Sequence, residues 1–157
     1  MDKGKEPHSG EPVSGNLAVC AFISRSHLFK KIADEDLASL YDACRLRRYK
    51  KGEAILNEGD EGTELFLLMS GNVRVVTGGQ SGLVELAQLA RGAFFGEVSL
   101  LTGRPRTATI VAMDDVEVVA ISNKGLEGIL KRYPRVRKLM QTVVEGRVRT
   151  AIEKTQQ

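Results

Sequence analysis

Gly96, Glu97 and Arg106 are the residues of this chain whose types and spacing suit the most specific chemistry. Gly96 has no side chain, so a ligand can approach the backbone there closely. Arg106 is a planar, permanently charged fork that suits two oxygens of a phosphate. The segment Gly96 to Thr102 lies between two strand-like runs and reads as one short helical turn. Amides at the start of such a turn lack intrahelical acceptors, and the local dipole favours an anion. Glu97 is a poor neighbour for a phosphate unless it accepts hydrogen bonds from hydroxyls nearby. An anion and a hydroxyl on one small molecule describe a ribose phosphate. The same residue types also allow a plain ion pair between Glu97 and Arg106 with Gly96 as a turn residue, and types alone leave both open.

Other chemistries have little to work with. The only histidines, His8 and His27, precede the strand-rich region, so no cluster of metal ligands is expected. No nucleophile has an evident base partner, which argues against an enzyme. Cys20 and Cys44 form no CxxC and read as two packed thiols in a reducing compartment. Trp is absent and aromatic residues make up 5% of the chain, little material for stacking single-stranded nucleic acid. No apolar stretch is long enough to span a bilayer. The run Leu17 to Ile23 lacks a basic start and a cleavage site, so it is not read as a signal peptide. The chain is expected to be cytoplasmic.

The elements that would position the site follow from pattern. The length of 157 residues, with 42% apolar and 27% charged, fits one domain with its own core. Met1–Asn16 is almost without apolar residues and is expected to be a disordered tail. Residues 17–50 read as N-terminal helices, with Leu37, Leu40, Tyr41 and Cys44 at helical intervals and Asp34 as a cap. Ten of the sixteen glycines lie between Gly52 and Gly103, among short Val-, Leu- and Phe-rich segments. Ala54–Leu56, Glu64–Met69, Asn72–Thr77, Leu83–Leu89, Thr107–Ala112 and Val116–Ile121 read as strands. Residues 51–122 are therefore expected to form an antiparallel β-roll, a jelly-roll-like barrel, in an α+β fold flanked by N-terminal and C-terminal helices. Residues 123–157 return to helical period, with one helix over Lys124–Arg132 and a break near Tyr133-Pro134. A second helix runs from about Arg135 towards Lys154. It carries the apolar stripe Val136, Leu139, Met140, Val143, Val144, Val148 and Ile152. From Lys131 onward eight Lys or Arg stand against two Glu, a basic face that reads most simply as solvated.

Phe95-Gly96-Glu97 with Pro105-Arg106-Thr107-Ala108 resembles the phosphate-binding cassette of the cyclic nucleotide-binding domain family. That family includes regulatory subunits of cAMP-dependent protein kinase, catabolite activator proteins and nucleotide-gated channels. Lys51-Gly52-Glu53, Glu58-Gly59-Asp60 and Leu68-Met69-Ser70-Gly71 also stand where the family has its turn glycines, so the resemblance extends from about Leu28 to Val144. It implies a cassette over residues 94–108. In it Glu97 accepts from the ribose 2′-hydroxyl and Arg106 pairs with the exocyclic phosphate oxygens. The amides of Gly96, Val98 and Ser99 complete the cradle. Val75 and Leu86 match positions lining the pocket beside sugar and base. Ser99 stands where many relatives have Ala. Thr107 matches a position that contacts guanine in cGMP-selective relatives but is also Thr in cAMP-preferring ones. The implied ligand is cAMP or cGMP, with cAMP favoured, and no cofactor or metal is implied.

On this resemblance the chain is a regulatory sensor whose final helix closes over the base, with Met140, Val143, Val144 and Arg147 as lid residues. The same stripe also suits a protein partner or a homodimer seam. The thirteen residues after Val144 are too few for a helix-turn-helix, so this chain alone is not expected to bind nucleic acid. The alternative is a β-roll interaction or scaffold domain that no longer binds nucleotide.

Overall fold

A computed structural model describes residues 9–156. Its strands, numbered along the chain, are β1 (Glu11–Pro12), β2 (Cys44–Tyr49), β3 (Ala54–Leu56), β4 (Leu65–Ser70), β5 (Val73–Gly79), β6 (Gly82–Leu89), β7 (Phe94–Phe95), β8 (Thr109–Ala112) and β9 (Val116–Ile121). The helices are α1 (Leu17–Arg25), α2 (Asp34–Asp42), α3 (Glu97–Thr102), α4 (Asn123–Arg132) and α5 (Pro134–Thr155). All strand pairs are antiparallel. They form two sheets, β1-β2-β9-β4-β7 and β3-β8-β5-β6. The α+β architecture and jelly-roll-like roll are as expected, although two separate sheets replace a closed barrel.

The five-stranded sheet is covered on both faces, and its sequence shows it. Along β4 and β9 successive side chains point to opposite faces. Leu65, Leu67, Val119 and Ile121 join a core with residues of α1, α2, α4 and α5. Phe66, Leu68, Val118 and Ala120 join a second core against the four-stranded sheet. Burial on both faces produces continuous apolar runs instead of alternation.

The helical ends follow local chemistry. Asn16 caps α1 by accepting from the Val19 amide at 3.2 Å. Ser122 caps α4 by accepting from the Gly125 amide at 3.1 Å, satisfying one of the donors that a helix start leaves open. The chain turns at Tyr133, and Pro134 opens α5, where its missing N–H costs nothing. Asp34 is not the cap of α2. Ala33 holds that position without a side-chain bond, and Asp34, Glu35 and Asp36 occupy the first turn, where their charges complement the dipole. The Asp36 carboxylate accepts from Arg132 at 2.6 Å and from the Tyr133 hydroxyl at 2.5 Å, which ties the α4–α5 corner to α2.

Two expectations change at the N-terminal side. Met1–His8, half of the expected tail, lie outside the described residues. The other half is structured, because Glu11 and Pro12 pair with Leu46 and Arg45 and Val13 is fully buried in the helix-side core. Residues 44–49 are a strand and not the end of a helix, paired with β9 from Cys44↔Ile121 to Tyr49↔Val116. Arg47 hides its pattern, since it is buried where an apolar residue would be expected. Its guanidinium, with a side chain 1% exposed, donates to both oxygens of Glu64 at 3.1 and 2.7 Å. Both thiols are free, and burial pushes that of Cys44 up to about 12.

Removing one partner of a buried charge pair strands the other. Glu64→Ala is expected to lower the unfolding free energy by about 3 kcal/mol, read from urea denaturation. A loss within the scatter of a surface substitution would contradict the pairing.

Candidate functional site

Phe95 ends β7, and the chain then needs a sharp reversal into α3. Gly96 supplies it with φ +88°, a left-handed conformation that costs other residues about 1–2 kcal/mol. Space is also short there. A Cβ on Gly96 would stand 2.6 Å from the Glu64 carbonyl oxygen and 3.1 Å from Arg106 Nη1. Gly103 closes the far end of α3, again left-handed, its amide donating to the Ser99 carbonyl at 2.9 Å. The Glu97, Val98 and Ser99 amides that begin α3 have no acceptor within the helix.

Arg106 is held opposite this turn by its own backbone. Its amide donates to the Asp60 carbonyl and its carbonyl accepts from the Gly59 amide, both at 2.8 Å. The side chain is turned inward, and the residue is only 6% exposed. Nη1 donates to the Gly96 carbonyl at 3.2 Å and Nη2 to the Glu64 carbonyl at 3.3 Å. The guanidinium also lies 5.8 Å from the centroid of Phe66. Among the described residues it forms no ion pair. Desolvation pulls its pKa below the ordinary value, with the charges of Glu64 and Glu97 acting the other way. A buried cation satisfied only by carbonyls gains most from an anion.

The plain Glu97–Arg106 ion pair does not form. Glu97 is buried, and its carboxylate is engaged from α5, where Arg147 Nη1 lies 2.5 Å from Oε1 and 2.6 Å from Oε2. Arg147 also lies over the Phe94 ring at 5.4 Å.

These groups share a cavity of about 930 Å³. Gly96, Glu97, Val98, Ser99, Arg106 and Thr107 all line it, as do Val75 and Leu86. The pairing explains Leu86. Val75 faces Ala87 while Val76 faces Glu85, so Leu86 is the extra residue of a bulge, a device that re-aims a side chain. Lys154 Nζ meets the Leu86 carbonyl at 2.9 Å. Of the four lid residues, Val143, Val144 and Arg147 line the cavity, but Met140 does not. It is fully buried in the helix-side core with Val136, because α5 first packs on that core and only then crosses the cavity. Pattern reading missed the wall residues Leu56, Leu89 and Ile110 and the rim residue Arg104. Val148 and Ile152, noted only as part of the stripe, also face the cavity and were findable from their spacing behind Val144.

Fold and site together describe a module with a ligand-sized cavity, lined by a buried guanidinium, the start of α3 and a buried carboxylate. The family model described as "Cyclic nucleotide-binding domain" matches residues 46–133, and this chain belongs to that family. A cAMP-dependent protein kinase regulatory subunit from Mycosarcoma maydis is 33% identical over 126 residues, 73% of this chain and 24% of that protein. The cyclic nucleotide-gated channel beta-3 of Canis lupus familiaris is 35% identical over 140 residues, 82% of this chain and 17% of the channel. The chain thus spans about a quarter or less of these curated relatives' length. The fold also matches the regulatory subunit of a cAMP-independent protein kinase A from Trypanosoma cruzi bound to guanosine. There the TM-score is 0.74 at 21% identity, covering 82% of this chain and 46% of that one.

Gly96→Ala is expected to lower stability by at least about 1 kcal/mol from its left-handed backbone alone, and to loosen Arg106 by pressing on the Glu64 carbonyl. Chemical denaturation reads the first effect. Stability equal to the parent would mean the turn has another conformation.

Proposed function

We propose that this chain is a regulatory sensor module that binds a cyclic mononucleotide, cAMP in preference to cGMP, and signals through its C-terminal helix. The observation that carries this reading is the buried Arg106 guanidinium, which lines the cavity and, among the described residues, donates only to carbonyls. The phosphate would take its remaining donors and the free amides of Val98 and Ser99. Glu97 would accept from the ribose 2′-hydroxyl, and Val75 and Leu86 would flank sugar and base. A cavity of about 930 Å³ is ample for a nucleotide. The preference for cAMP draws on the kinase regulatory relative named for it, while Thr107 at the rim suits either base.

The reading makes the chain a binding module with no reaction of its own. Among the described residues no cluster of three His, Cys, Asp or Glu could hold a metal, and no helix is long and apolar enough to cross a membrane. The output would pass to a protein partner or a second copy through α5, in the cytoplasm.

Titration calorimetry with cAMP, cGMP, guanosine and a cyclic dinucleotide tests the ligand. Arg106→Ala is expected to cost roughly 2–5 kcal/mol of cAMP binding, the range for truncating one side of a buried charge pair. No heat from any of the four would favour the interaction-domain alternative, and heat from guanosine alone would remove the phosphate from the reading. Deleting residues 142–157 leaves Val136 and Met140 in the core while removing the α5 wall. It is expected to weaken cAMP binding, and unchanged affinity would exclude α5 as a lid.

A further inference from the structure

Glu64 is shared between two buried guanidiniums. Its carbonyl accepts from Arg106 Nη2 at 3.3 Å, while its carboxylate accepts from Arg47 Nη1 at 3.1 Å and Nη2 at 2.7 Å. Arg47 lies opposite Val118, so it faces the roll interior on the side where Val118 and Phe66 are packed. The two guanidiniums stand 5.9 and 5.8 Å from the same Phe66 centroid. The negative charge of Glu64 already acts on Arg106, raising its pKa against desolvation and ahead of the charge of Glu97. That carboxylate belongs to the residue whose carbonyl Arg106 touches, which makes it a rival for any anion arriving there. Arg47 is built to hold it. Arg47 Nε donates to the Ser9 carbonyl at 3.0 Å, so a third acceptor fixes the plane of the fork that grips Glu64. The N-terminal segment presses on the same side chain, since a Cβ on Gly10 would stand 2.9 Å from Arg47 Cγ and 2.6 Å from the Leu46 carbonyl oxygen. Stability alone does not call for a cation here, because well-packed apolar residues commonly replace a buried ion pair without loss.

Resting on the cyclic-nucleotide reading, we propose that Arg47 is a positioning residue for the anion site: by gripping the Glu64 carboxylate it keeps Arg106 open for the ligand's phosphate. Freed of Arg47, that carboxylate would find an uncompensated cation in Arg106, whose donors meet only carbonyls among the described residues. A pair between Glu64 and Arg106 would satisfy the buried charge. A phosphate would then have to displace a carboxylate and stay beside a second negative charge. Arg47 touches no ligand and acts wholly through Glu64. The bidentate bond on β2 and the single carbonyl bond to Arg106 are thus two halves of one arrangement, in which Glu64 supports the site with its backbone while its side chain is kept out.

The test uses the full chain, with cAMP titrated into the parent, Arg47→Met and the double variant Arg47→Met/Glu64→Gln, each first shown folded by urea denaturation. Arg47→Met is expected to bind cAMP at least about tenfold more weakly, the weight of a hydrogen bond between charged groups that the phosphate must now break. The double variant, which has lost the rival carboxylate as well, should return to within about threefold of the parent. A second cycle needs no ligand. The coupling of Glu64→Gln with Arg106→Gln in the unfolding equilibrium should be about tenfold in the Arg47→Met background and within about threefold in the parent. Arg47→Gln, which keeps one bond to Glu64, takes the place of Arg47→Met if the latter does not fold, with the same direction expected. Parent-like cAMP binding by Arg47→Met, a double variant as weak as Arg47→Met, or no ligand-free coupling would each overturn the proposal, the second by making Arg47 a structural residue only. If the parent itself binds no cAMP, the cyclic-nucleotide reading falls, while the ligand-free cycle still decides whether Arg47 keeps Glu64 off Arg106.

Discussion

A guanidinium kept away from water with only carbonyl oxygens as partners is costly, and much of this fold is arranged around that cost at Arg106. The Arg106 backbone is clasped at both ends by Gly59 and Asp60, which leaves the side chain one direction, inward. Gly62 and Gly96 supply the space, since a Cβ on either would stand within about van der Waals contact of the guanidinium, at 2.9 and 3.1 Å. The Gly96 reversal then brings the unpaired amides of α3 to the same place. A cation, a set of oriented donors and a hole beside them are the elements from which anion sites are built.

The two-sided sheet fixes one wall of that site, and α5 forms the other. β4 and β9 are packed against helices and against the second sheet at once, so the floor carrying Phe66 and Phe95 cannot shift without disturbing both cores. The rings of these two residues stack with centroids 5.2 Å apart, and the Arg106 guanidinium lies 5.8 Å from the Phe66 centroid. The roof is different. α5 is fixed at its start by Pro134, Val136 and Met140 and by the Asp36 anchor of Tyr133, then crosses the cavity held by Arg147 and Lys154. Among the described residues its second half has no core of its own and is held by polar contacts, Arg147 to Glu97 and Lys154 to the Leu86 carbonyl.

Much of this was legible along the chain. Ala54–Leu56 and Val116–Ile121 were readable to the residue, since turns bound each and β-branched content marks them. Residues 96–99 and 106–107 were marked by the family resemblance, and the structure brings them to one cavity. β2 was not, because Arg47 occupies an interior position that only its bidentate bond to Glu64 makes tolerable. Val13 was hidden as one apolar residue in a polar run. Met140 was misplaced for a related reason: a single apolar stripe on α5 serves two surfaces in turn, and periodicity does not say where one ends.

Residue order by itself determined the antiparallel roll with its flanking helices and the turn at Gly96, and it marked Glu97 and Arg106 as the charged residues beside that turn. These follow from local propensity, spacing and side-chain chemistry. Only the tertiary structure decided that Glu97 meets Arg147, fifty residues away, instead of Arg106, and that Leu86 is turned into the cavity by a bulge. Those outcomes depend on how helix and sheets come together, and the energy of a long-range contact leaves no period in the residues that make it.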